Sequence, residues 1–390
     1  MKYKICNANV VLEKDILKNQ ALYIIDGKIA TVKKDEDEED FVAIDANGMY
    51  VSPGFIDMHV HGGGDSDFLD CTVNDFLIPA KMHAKHGTTS IVPTTLSGKT
   101  DELITMFDVF REAKKKNDCG AEFLGLHLEG PYFSIEQCGA QDPSFVRLPD
   151  EREYKRIVDS TDDIIRWSAA PELEGALEFG EYISKKNILC SIGHSNATYE
   201  QVKEAFEHGF THITHLYSCM STVHRKNAYR HAGVLESAYL IDDMTVEIIA
   251  DGVHLPESLL SFVCKFKGSD KTALVSDAMR GAGMPDGLSI LGSRENGQQV
   301  IIEDNVAKLM DRSAFAGSIA TGDKLVRNMI ELAGCSLCEA VKMMSLVPAR
   351  ILNVDNRKGK IQEGYDADIV VFDENINIKY VFVNGRLISE

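Results

Sequence analysis

The side chains best able to ligate a metal fall at the ends of short apolar runs in this 390-residue chain. His59 and His61 close GFIDMHVH (54–61), Glu129 closes EFLGLHLE (122–129) and His194 closes ILCSIGH (188–194). His215 stands near the end of FTHITHL (210–216) and Asp277 near the end of TALVSDA (272–278). Imidazole nitrogens and carboxylate oxygens brought to one place form a site suited to zinc or iron, with a position left for water. An HxH on a strand sends both rings to one face, because side chains alternate with a period of two. His127 shares a face with Glu129 but one layer deeper, which assigns it to packing or to support of the ligands. His212, three residues before His215, points to the opposite face. His83, His86 and His208 lie on helix-like segments and read as rim or surface residues.

The elements that must position these residues alternate in type. Strand patterns at 54–61, 89–94, 122–129, 164–171, 188–194, 210–216, 245–251 and 272–278 have helix-like segments between most of them, such as DELITMFDVFREAKKK and TYEQVKEAFEHG. Alternation of this kind predicts parallel βα units. Eight strands are the number that closes a (β/α)8 barrel, although a doubly wound open sheet has the same alternation. In a barrel, strand C-termini converge on one mouth, which would gather all six residues. The stretch at about 323–354 reads as two helices across the barrel's end. Residues 1–51 and 355–390 are strand-like instead, with hairpin turns at Asp26-Gly27 and Asn384-Gly385, and predict one small sheet domain made from both chain ends beside a barrel at 52–354. The acidic run Asp35 to Asp40 reads as a solvated loop.

Composition narrows the functional classes. A formal net charge of -19 opposes general binding to nucleic acid or anionic membranes, so an anionic substrate would need a local basic spot, for which HRKNAYRH (224–231) is the candidate. The N-terminus lacks a signal-peptide pattern and no apolar run approaches the roughly 20 residues of a membrane helix, which predicts a cytoplasmic protein. Nine scattered Cys fit reduced thiols, and the pair Cys335/Cys338, in a stretch that reads as helix, is assigned to helix packing.

Taken together, PGFIDMHVHG (53–62), HLEGP (127–131), GHSNAT (193–198), THITHLYSCM (211–220), IIADGVHLP (248–256), LVSDAMRGAG (274–283) and FAGSIATGDKLVRN (315–328) resemble the N-acetylglucosamine-6-phosphate deacetylases of the amidohydrolase superfamily. The resemblance runs in order along nearly the whole chain. It implies an α/β fold, a (β/α)8 TIM barrel with a small β-sandwich built from both ends. It implies that Glu129, His194 and His215 hold the principal divalent metal, zinc or iron, and that His59 and His61 match a pair that lets some relatives bind a second. Asp277 matches the catalytic acid/base and His254 a contact to the acetyl carbonyl. Arg225 matches an arginine that reaches the sugar phosphate in the neighbouring subunit's site, which implies a homodimer. Ala140, Ser218, Cys219, Phe315, Ala316 and Gly317 match substrate contacts.

Two departures bear on the substrate. Ser218-Cys219-Met220 replaces the usual Asn-Ala-Met, and Gln141 stands where a histidine is common. Deacetylation of N-acetylgalactosamine 6-phosphate or a related amino sugar is the alternative within the reaction class. A non-catalytic sugar-phosphate-binding descendant is the alternative outside it. Cyclic amidohydrolases and deaminases of the same barrel commonly use a carbamylated lysine where this chain has Glu129.

Overall fold

Eight parallel strands form the barrel: β1 Phe55–Val60, β2 Thr88–Thr95, β3 Leu126–Glu129, β4 Ile164–Ala169, β5 Leu189–Ile192, β6 Phe210–Ile213, β7 Thr245–Ile248 and β8 Thr272–Leu274. The structure, a computed structural model, describes residues 1–36 and 40–389. Successive strands pair in chain order from β1 to β8. The ring closes through loop residues: Asp277 N donates to His59 O at 2.9 Å and His61 N to Ala278 O at 2.8 Å. The strands are buried nearly throughout, as a parallel sheet covered on both faces requires. Helices such as Val73–Ala84, Thr100–Lys116 and Tyr199–Glu207 form the outer layer, the first and last capped by Thr72 and Thr198.

Several strands end earlier than their apolar pattern predicts. β5, β6 and β8 stop at Ile192, Ile213 and Leu274, so His194, His215 and Asp277 stand on the loops just beyond. The expected strand 122–129 is broken into Glu122–Phe123 and β3. At the break, a side chain on Gly125 would meet Asp163 O at 2.7 Å. The two helices expected at 323–354 are three, Gly322–Glu331, Leu337–Met344 and Leu346–Ile351.

Both chain ends contribute to one eight-stranded sheet, in which Tyr50–Pro53 pairs with Lys2–Val11 on one side and Ile369–Phe372 on the other. The hairpin turns fall at Asp26-Gly27 and Asn384-Gly385, all four residues at positive φ, as type I′ turns need. Ala367 N donates to Gly27 O and Gly385 N to Ala367 O, both at 2.9 Å, so the sheet curls over its own core of residues such as Ile5, Leu22, Val371 and Phe382. Of the acidic run, 37–39 lie outside the described residues; Asp35 pairs with Lys4 Nζ at 2.8 Å.

The sheet is joined to the barrel by charge. Lys358, 1% exposed, sits 2.8 Å from Glu122 and 3.2 Å from Asp366, and also bonds Asp368. Removing the ammonium takes from the buried Asp368 the cation it is paired with, while Arg357 still pairs with Glu122 and Asp366. Lys358→Ala is therefore expected to lower unfolding stability by about 3–5 kcal/mol in denaturant titration, and a loss below about 1 kcal/mol would refute this role.

Two elements escaped the sequence pattern. A three-stranded antiparallel sheet, Gly287–Leu291, Gln298–Glu303 and Val306–Leu309, is inserted after β8, and the basic segment forms an exposed hairpin, His224–Lys226 with Tyr229–His231. His83 is not a rim residue: it is fully buried, its Nε2–H donates to Gly62 O at 2.9 Å, and burial pushes its pKa down to about 4.

Candidate metal centre and active site

Glu129, the last residue of β3, is the hub. Its Oε1 lies 3.1 Å from His215 Nε2, 3.3 Å from His194 Nε2 and 3.5 Å from His59 Nε2, and its Oε2 lies 3.4 Å from His61 Nε2. Asp277 Oδ1 is 3.1 Å from His61 Nε2 and 3.4 Å from His59 Nε2. Glu129 thus belongs to two triads that could hold a metal ion, one with His194 and His215 and one with His59 and His61. Both are buried.

The far side of two rings shows which atom is offered to the centre. His194 Nδ1–H donates to Gln137 O at 2.8 Å and His59 Nδ1–H to Glu247 Oε1 at 2.7 Å. Each ring then presents the lone pair of Nε2 inward, the tautomer a ligating histidine needs. The Nε2 atoms of four imidazoles face two carboxylates, a buried cluster that needs positive charge among its members, so this donor set fits a divalent cation. The same crowding acts on protons. Burial alone would lower His59, but Glu129, Asp277 and Glu247 outweigh it and raise its pKa to about 10. Burial would raise Glu129 and Asp277, yet neighbouring histidines, His59 first, hold both below the ordinary carboxylate range.

Buried charges behind the ligands fix them. Glu247 on β7 accepts from Arg166 Nη1 at 2.5 Å and His212 Nε2 at 3.2 Å, besides His59 and the backbone N of His215 at 3.2 Å. Arg166 on β4 also donates to Met58 O and Thr214 Oγ1. His127 is tied to Ser168 and Thr94 hydroxyls, and His212 to Glu247 and Thr245, so both are support rather than ligands. Glu247 and Arg166 were not singled out from the sequence. Their signal is a charge in the middle of an otherwise apolar strand, as in TVEIIAD and IIRWSAAP.

The loops holding the site are locally strained. His194, His215 and Asp277 have φ of 49°, 27° and 48°, a region costly for residues other than glycine. Each costs on the order of 1–3 kcal/mol, sustained by the barrel around it.

A cleft of about 260 Å³ opens over the centre. It is lined by His61, Glu129, His194, His215 and Asp277 together with the expected contacts Ala140, Ser218, Cys219, His254, Phe315 and Gly317. Ala316 packs behind, with Met279 and Val300, and Arg225 lies on the exposed hairpin away from this lining. Gln141, at the departure from the usual histidine, donates from Nε2 to Glu129 Oε2 at 2.9 Å and accepts from Ser97 N at 2.7 Å. His254 donates from Nδ1 to Asp251 Oδ2 at 2.8 Å and its ring lies 4.7 Å from that of Phe315. Burial would raise Asp251, but His254 and backbone N–H groups lower it, so it stays ionised. Leu96, Tyr217 and Leu291 in the lining, and Asp251 behind His254, are residues the sequence did not mark.

A closed parallel barrel with a histidine–carboxylate centre at the carboxyl ends of its strands defines a metal-dependent hydrolase barrel of the amidohydrolase type. The profile of the amidohydrolase family matches residues 50–388, and the chain belongs to that family. It is 36% identical to an N-acetylglucosamine-6-phosphate deacetylase of Lysinibacillus sphaericus, over 94% of this chain and 92% of that one. It is 32% identical to an N-acetylgalactosamine-6-phosphate deacetylase of Escherichia coli O157:H7, over 97% of each. The crystal structure of N-acetylglucosamine-6-phosphate deacetylase from Pasteurella multocida superposes with a TM-score of 0.92 at 29% identity, covering all of both chains. Among the described residues no helix is long and apolar enough to cross a membrane.

Proposed function

We propose that this chain hydrolyses the acetamide of N-acetyl-D-glucosamine 6-phosphate to D-glucosamine 6-phosphate and acetate, in the cytoplasm and as a homodimer. The observation that carries the reading is the meeting of His59, His61, His194, His215, Glu129 and Asp277 through contacts of 3.5 Å or less, all but the buried His59 lining one cleft. Glu129, His194 and His215 hold the principal ion, zinc or iron, and His59 and His61 with Glu129 offer a second position. When bound, such an ion supplies Lewis acidity, which lowers the pKa of water from about 15.7 toward about 7 and polarises the carbonyl.

The protein's own groups do the rest. Asp277, ionised and turned toward the centre, takes a proton from the attacking water and delivers it to the departing amine nitrogen. His254 is held by the ionised Asp251 through Nδ1–H, and its Nε2, when it carries a proton, donates to the carbonyl oxygen as negative charge gathers there. Ala140, Ser218, Cys219 and the Phe315–Gly317 strip orient the sugar. The two end segments, 1–51 and 355–390, act as one small domain that braces the barrel.

No Lys or Arg lines the cleft among the described residues, so the phosphate needs a cation from elsewhere. The partner subunit's hairpin, through Arg225, meets that need. Arg225→Ala is expected to lower kcat/KM about 10- to 100-fold with the phosphorylated substrate and hardly at all with the unphosphorylated sugar. Mixed dimers of Arg225→Ala and Asp277→Asn subunits should regain activity. No recovery, with subunit exchange verified, would place Arg225 outside the partner's site.

The similarity to an N-acetylgalactosamine-6-phosphate deacetylase keeps the galacto epimer as the second reading. Acetate release from both N-acetylhexosamines, each with and without the 6-phosphate, tests the assignment. The gluco 6-phosphate should have the highest kcat/KM. Preference for the galacto 6-phosphate would reverse the epimer, and indifference to phosphate would overturn the substrate class.

A further inference from the structure

Away from the cleft, two cysteines distant in sequence meet. Cys264 lies on the helix Glu257–Phe266 and Cys335 in the turn before the helix Leu337–Met344, and their sulfur atoms are 2.7 Å apart. Both are half-buried at the edge of the barrel core, within reach of a small reagent. The segments that carry them are already in register: Ser261 Oγ donates to Leu332 O at 3.5 Å and Cys335 N to Met329 O at 3.0 Å. The C-x-x-C spacing would pair Cys335 with Cys338. Cys335 instead precedes the helix, while Cys338, on it, lines a separate cavity with Leu12 and Ile361. Among the described residues no third His, Cys, Asp or Glu joins Cys264 and Cys335 at metal-ligand distance, which leaves thiol chemistry rather than a soft-metal site.

We propose that Cys264 and Cys335 form a reversible oxidation site that closes to a disulfide by exchange with a low-molecular-weight disulfide. Either sulfur of the pair can donate to the other; with the Cys335 S–H as donor the Cys264 thiolate is the stabilised one and attacks first. The Cys264 thiolate attacks one sulfur of the small disulfide; that S–S bond breaks, and the released thiolate takes up the proton Cys264 has lost. Cys335 then loses its proton and attacks Cys264 Sγ in the mixed disulfide, expelling the second small thiol. Two protein thiols are oxidised and one small disulfide is reduced to two thiols. The product staples the helix that follows the Asp251–His254 loop to the segment after Gly322–Glu331, where Asn328 Nδ2 already donates to Ala250 O at 2.8 Å.

The test is to incubate the folded full-length chain with oxidised glutathione, alkylate under denaturing conditions and measure intact and peptide masses. The expected product keeps two fewer alkylatable cysteines than the reduced chain, contains a Cys264–Cys335 cross-linked peptide, and reverts with dithiothreitol. Cys335→Ser should instead stop at a glutathione adduct on Cys264. All nine cysteines remaining alkylatable, glutathione adducts alone on the unsubstituted chain, or a Cys335–Cys338 link would overturn the proposal.

Discussion

Asp277→Asn is expected to lower kcat by about 10²–10⁴-fold while the protein stays folded and retains its metal. The substitution keeps size and shape but removes the group that accepts a proton. Asp277 Oδ1 lies 3.1 Å from His61 Nε2, and the loop holding it at φ 48° is fixed by backbone bonds, Asp277 N to His59 O and Ser318 N to Asp277 O, that do not depend on the carboxylate. Steady-state kinetics paired with elemental analysis is the measurement. More than about a tenth of normal activity in the variant would show that another group acts as the base, since losing a general base costs at least about 10²-fold.

Glu129→Gln should have the larger effect, because it dismantles the centre itself. One oxygen of Glu129 stands within 3.5 Å of three imidazole nitrogens. An amide brings no charge to hold a dication, and it cannot satisfy those nitrogens and Gln141, which donates to Oε2, together. Metal content should fall to near zero and acetate release to background, with circular dichroism unchanged. A variant that keeps its metal and turns over normally would remove Glu129 from the ligand set.

The parts of this arrangement that announced themselves in sequence are those governed by local rules. Strand patterns interrupted by His59, His61, Glu129, His194, His215 and Asp277 marked the mouth of the barrel, since a parallel strand is apolar until it leaves the core. The Asp26-Gly27 and Asn384-Gly385 turns marked the end sheet, because positive φ at both turn positions restricts the residues allowed. What stayed hidden depends on distant partners. Glu247 and Arg166 are tolerable in the core only because they neutralise each other across the barrel, a pairing 81 positions apart. His83 looked like a rim residue because its acceptor, Gly62 O, sits in the short strand Gly62–Gly63 just past β1, distant in sequence. The sheet at 287–309 turns at Asp304-Asn305, both at positive φ, without the glycine that makes such turns conspicuous. The left-handed backbone at His194, His215 and Asp277 has no signature in residue type.

The central claim is that this cluster holds a metal on which deacetylation depends. The direct measurement strips the protein with a chelator, verifies by elemental analysis that the ion is gone, and follows acetate release from N-acetyl-D-glucosamine 6-phosphate as zinc or iron is returned. Activity should vanish on stripping and return in proportion to bound ion, reaching its plateau at one or two per chain, with His59→Ala removing the second if it exists. Acetate release that persists unchanged in the metal-free protein would contradict the account.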